Sequence, residues 1–105
     1  MYPVGLNKSA RAEVLLSLQR ALLGHVTAQM RAVGVAYDDA AIRVTVFTDE
    51  LAGQDVTEAV QGIETELMAD FPEHEVVVAP AVGSQPLPRE LEWAFIRAGV
   101  AVSSG

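Results

Sequence analysis

The sequence contains no cysteine, which excludes disulfide scaffolds, cysteine nucleophiles and thiolate metal sites together. Histidine occurs only twice, as His25 and His74, far apart in the chain. No apolar stretch reaches the roughly 20 residues needed to span a bilayer, and the opening MYPVGLNKSAR lacks the apolar segment of a secretory signal. Those two absences predict a cytoplasmic protein without a membrane partner. The eight glycines are scattered, so neither a dinucleotide-binding G-x-G-x-x-G nor a P-loop is present. Of the serines, Ser9, Ser17, Ser84, Ser103 and Ser104, none stands in a G-x-S-x-G elbow or beside a histidine. "EHE" at 73–75 places Glu73 and Glu75 on one side of an extended strand and His74 on the other. No metal and no cofactor are therefore expected, and the chain reads as a non-enzyme.

Basic residues are also missing where they would matter. Residues 44 to 88 hold no lysine or arginine, yet they carry Asp49, Glu50, Asp55, Glu58, Glu64, Glu66, Asp70, Glu73 and Glu75. The whole chain has 14 acids against seven bases, a formal charge of −7. A field of that sign repels nucleic acid and anionic membranes and draws in basic proteins.

What is present is ample material for a core. Half of the 105 residues are hydrophobic and a fifth are charged, which excludes disorder. A chain this long buries roughly two-thirds of its unfolded surface, so a single domain over residues 1–105 needs no staple. From Ser9 to Leu23 the spacing of Val14, Leu15, Leu18 and Leu22 predicts a helix, with Asn7 or Ser9 as its cap and Gly24 just past its end. Leu16 and Leu23 fall outside that stripe, so the apolar surface is wider than one core face requires. Val33, Val35 and Tyr37, then Ile42, Val44 and Val46, alternate around "DDAA" and predict a β-hairpin. Gly34 marks a weak point or bulge in its first arm.

The second helix has Asp55 and Glu58 in a D-x-x-E capping pattern. Val56, Val60, Ile63 and Leu67 form its stripe, and Pro72 bounds it. Strand "EVVVAP", the loop "AVGSQPLPRE" and strand "LEWAFIR" follow, the last with Leu91, Trp93 and Phe95 in alternation and a short helix as the alternative. A loosely held tail closes the chain. The order α-β-β-α-β-β predicts an α+β, two-layer sandwich. Its four-stranded sheet is mainly antiparallel, and both helices lie on one face. Phe47 and Ile96, out of phase with the core set, fall on the other face, where a homodimer contact is plausible. Trp93 reads as a core aromatic, and Asp38 and Asp39 read as turn residues.

The run Leu15-Leu16-x-Leu18-Gln19-x-Ala21-Leu22-Leu23-Gly24-x-Val26-Thr27, followed by Arg31-Ala32-Val33, resembles a family of small, acidic, uncharacterised bacterial proteins. The likeness extends to "ADFP" at 69–72 and to Trp93, and so spans most of the chain. It carries no catalytic residues over. In size and charge such proteins are similar to immunity proteins or antitoxins that cover basic toxins, an analogy rather than a motif match.

Three functions follow as expectations. The first is a protein-binding module in which Asp55, Glu58, Glu66, Glu73 and Glu75 engage a basic partner such as a toxin. A small ligand-binding domain or enzyme is the second, with a pocket between helices and sheet rimmed by His25 and Arg31. The third is a structural homodimer.

Overall fold

The computed structural model describes residues 8–49, 53–83, 87–88, 90–97 and 100. Six elements follow in the expected order: α1 (Lys8–Leu22), β1 (Met30–Tyr37), β2 (Ala41–Thr48), α2 (Gln54–Asp70), β3 (Glu75–Val82) and β4 (Glu92–Ile96). Asn7, the Ser9 side chain, Glu50, Ser84 and the tail from residue 101 lie outside the described residues.

Gly24 stops α1 with a φ of +82°, a conformation that costs glycine little. The hairpin turn is set by Asp38, whose Oδ1 accepts from the backbone N–H groups of Ala40 at 2.8 Å and Ala41 at 2.9 Å. Those two bonds hold the Asp38 carboxyl below its ordinary range. In α2 the capping pattern is not used. Gly53 is the N-cap, no side chain caps the helix, and Asp55 falls inside the first turn. There its charge complements the positive end of the helix dipole.

The sheet is mixed, with strand order β3-β2-β1-β4. β1 pairs antiparallel with β2 and with β4, whereas β2 and β3 run parallel. The antiparallel expectation thus needs correcting at the β2–β3 pair. Seventeen residues of α2 rise about 25 Å at 1.5 Å each, close to the length of an eight-residue strand. The helix therefore returns the chain to the end where β2 began, and β3 has to run the same way.

Both helices cover one face. Val14, Leu18 and Leu22 of α1 and Ile63 and Leu67 of α2 pack on Val33, Val35, Ile42, Val44, Val46, Val76 and Val78. Each such side chain contributes about 1.5–3 kcal/mol when fully buried. At the edge of the sheet, β3 carries Pro80, which a central strand would not tolerate. Glu64 reaches over from α2 to accept from the Val78 N–H at 3.4 Å. An edge dressed in this way discourages pairing with another strand.

On the other face one aromatic, Trp93, has moved from its expected place in the core. Pairing runs Val33↔Phe95 but then Gly34↔Trp93, with a register shift between. The extra residue reverses the side-chain phase within β4. Phe95 consequently packs on the helix-side core, while Trp93 leaves the core set and meets Phe47 with ring centroids 5.6 Å apart. The absence of a side chain at Gly34 makes room: an added Cβ would lie 2.7 Å from Trp93 Cζ3 and 3.0 Å from Leu91 Cδ1.

Candidate functional site

Helices α1 and α2 pack antiparallel, and the contact between them ends at the turn that leads into β1. Near the middle, the buried Ser17 hydroxyl donates to Asp70, and Arg20 Nη2 lies 3.8 Å from the same carboxylate. Further along, the His25 ring lies across α2 at Gly62, where an added Cβ would meet imidazole Cδ2 at 2.8 Å and Cε1 at 3.2 Å. His25 Nδ1 is 2.6 Å from the Ala21 carbonyl oxygen. Because a carbonyl only accepts, Nδ1 is the nitrogen that carries the proton. Glu66 Oε2 stands 3.5 Å from the same nitrogen. The ring thus ties the end of α1 to the wet side of α2.

Past the end of α1, the turn and the first turns of α2 border an open notch of about 360 Å³, lined by Gly24, His25, Thr27, Asp55, Glu58 and Ala59. Thr27 Oγ1 is buried there without a hydrogen-bond partner among the described residues. Glu58 accepts from the Gln54 side chain at 3.0 Å. Ion pairs among the described residues join Arg11 to Glu92, Arg20 to Asp70 and Arg97 to Asp49, and none involves Asp55 or Glu58. The mouth of the notch is therefore acidic, with its charge uncompensated by a described cation.

Of the acids singled out in the sequence, Asp55, Glu58 and Glu66 come together along one side of α2. Glu73 and Glu75 do not join them. They lie past the opposite end of the helix, about 20 Å or more from Glu58 at 1.5 Å per helical residue. His25 does rim an opening, but Arg31 does not share it. Arg31 is buried and donates to the Gly83 carbonyl at 2.8 Å, at the end of the sheet. Beside it Arg97 clasps Asp49 through two 3.0 Å bonds and reaches the Ala28 carbonyl at 3.0 Å, bracing the turn from below. The Arg97 guanidinium holds the Asp49 carboxyl below its usual range.

Thr27 and Gly62 were not singled out in the sequence. Thr27 carries no pattern of its own. Gly62 had a signal, a helix-weakening residue inside a strong helical pattern, which commonly marks a close approach. Among the described residues, no group of three or more His, Asp or Glu is placed to hold a metal ion, and no helix is long and apolar enough to cross a membrane. No curated protein matches the chain. The pattern of the MafI2 immunity protein family matches residues 11–98, from within α1 past the end of β4, and takes in the whole notch. By that match the chain belongs to the MafI2 immunity protein family.

Proposed function

We propose that this protein binds a toxin and neutralises it by covering its surface, with the acidic side of α2 and the adjoining turn as the docking face. The family match over residues 11–98 is the observation that carries this reading. Asp55 and Glu58 at the notch, with Glu66 behind them, supply short-range complementarity to a basic partner. Glu73 and Glu75, at the far end of the helix, add to the long-range field that speeds encounter. The role is one of binding rather than catalysis, and cytoplasmic action fits the expectation from the sequence.

Co-expression with each of the toxin domains that the host encodes tests the proposal. Cells are expected to survive with the wild-type chain and to lose protection with Asp55→Lys/Glu58→Lys. Failure of the wild type to protect or bind would refute the function. Binding indifferent to salt would refute its electrostatic version.

A second reading has one observation in its favour. The sheet face opposite the helices presents Phe47 and Trp93 half-buried, with Val77 and Ile96 exposed at 40% and 39%. A homodimer formed there would show a doubled mass in sedimentation at micromolar concentration, and a monomer at that concentration would exclude it.

A further inference from the structure

The turn that closes the acidic notch has a second, apolar side. Leu23 and Val26 line a groove of about 230 Å³ whose remaining walls are Gln19, Leu22, Ala94 and Phe95. Leu23 and Gly24 are neighbours in the chain, one lining the groove and the other the notch. The two openings are thus a single residue apart, about 3.8 Å of backbone. The turn is a ridge, with Leu23 and Val26 facing one way and Gly24, His25 and Thr27 the other.

Solitary exposed leucines are ordinary on protein surfaces. This one differs in what surrounds it. Leu23 is 77% exposed and Val26 43%, while the floor beneath them belongs to the core side chains Leu22 and Phe95. The ridge is also held rigidly. His25 N–H donates to Leu22 O at 2.9 Å, Met30 N–H to Thr27 O at 3.1 Å, and Arg97 to Ala28 O at 3.0 Å. With the backbone of the turn bonded in place before binding, a partner that covers Leu23 and Val26 has less chain entropy to remove.

The groove's volume is below the roughly 300–1,000 Å³ of small-molecule sites and suits one large side chain. None of its lining residues is charged, whereas Asp55 and Glu58 stand across the ridge without a described cation. That juxtaposition selects the occupant by charge complementarity: a segment carrying one apolar side chain beside lysine or arginine. Resting on the toxin-binding reading above, we infer that the α1–β4 groove is the anchoring site for the toxin, which inserts an aliphatic or aromatic side chain against Leu23 and Val26 while its neighbouring basic residues enter the notch. In this arrangement the groove sets how long the complex lasts and the notch sets how fast it forms.

The probe is each toxin domain that the host encodes, purified, with binding followed in real time at low and high salt. Leu23→Ser/Val26→Ser changes no charge, and both side chains are exposed, so melting of the free protein is the control for folding. The expected result is a Kd raised at least tenfold, carried by faster dissociation and persisting at high salt. Asp55→Asn/Glu58→Gln is expected to slow association, with the deficit fading as salt rises. A Kd within twofold of wild type for the serine variant, with the wild type binding normally, overturns the anchor and leaves the neutralising function standing. A wild-type protein that binds none of these toxin domains overturns both.

Discussion

Placing alanine at position 62 sets two opposing effects against each other. Glycine inside a helix costs about 0.5–1 kcal/mol relative to alanine, so Gly62→Ala on an open helix surface should stabilise by that amount. Here the new methyl would sit within 2.8 Å of His25 Cδ2, too close for the ring to stay. With its side chain 29% exposed, His25 can swing out into water. It then loses the bond to Ala21 O, about 0.5–1.5 kcal/mol, together with its packing on α2. We expect Gly62→Ala to be neutral or up to about 1 kcal/mol destabilising in the wild-type background, but stabilising by about 0.5–1 kcal/mol in His25→Ala. The coupling between the two sites is then about 0.5–2 kcal/mol, readable from urea midpoints of the four proteins at equal slope. In a thermal melt about 1 kcal/mol corresponds to roughly 4–8 °C for a domain of this size. Equal stabilisation by Gly62→Ala in both backgrounds would refute the claim that His25 rests on α2.

Four further outcomes are expected. Gly34→Ala pushes a methyl against Trp93 Cζ3 and Leu91 Cδ1, and should cost about 1–3 kcal/mol in urea unfolding while shifting the fluorescence of Trp93, the sole tryptophan. Leu67→Ala, at a fully buried site, should cost about 2–5 kcal/mol. By the same assay Arg97→Ala should cost far less than Leu67→Ala, because both partners of its ion pair with Asp49 are exposed to screening by solvent. Acid should also weaken the fold. Asp38, Asp49 and Glu92 are held below the ordinary carboxylate range by the Ala40 and Ala41 amides, by Arg97 and by Arg11 respectively. As pH falls the unfolded chain takes up protons first, so their contribution is complete above about pH 5 and lost below it. Asp38→Asn/Asp49→Asn/Glu92→Gln should flatten that decline, and an unchanged pH profile would count against these partners.

Much of this structure could be read from the chain because local rules and tertiary demands agree there. The stripe of α2, the glycine after α1 and the Asp38 turn each rest on interactions within a few residues. Trp93 fell on the unexpected face because its placement depends on a one-residue register shift against β1, and no spacing within β4 encodes that. Parallel pairing of β3 was available from the length of α2 but requires comparing the helix with a strand rather than reading either alone. The site divides in the same way. Helical spacing accounts for Asp55, Glu58 and Glu66 sharing a side, whereas the separation of His25 from Arg31 depends on which element each one packs beneath. Leu23 was visible in the sequence as a leucine outside the stripe, but its pairing with Phe95 across the groove was not.

The Arg11–Glu92 clasp joins groups 81 positions apart with two 2.7 Å bonds. Closing a loop of that length costs about 4 kcal/mol of chain entropy, while an exposed ion pair contributes about 0–1 kcal/mol. The clasp therefore cannot draw the two ends of the fold together; it can only fasten them after β4 has found β1. The walls of the groove, Leu22 and Leu23 from one end of the chain and Ala94 and Phe95 from the other, are brought together by that same pairing of β4 with β1. On the anchor proposed above, a chain with only its central hairpin and second helix formed would carry most of the acidic charge and no groove, so long-lived binding would require the finished molecule.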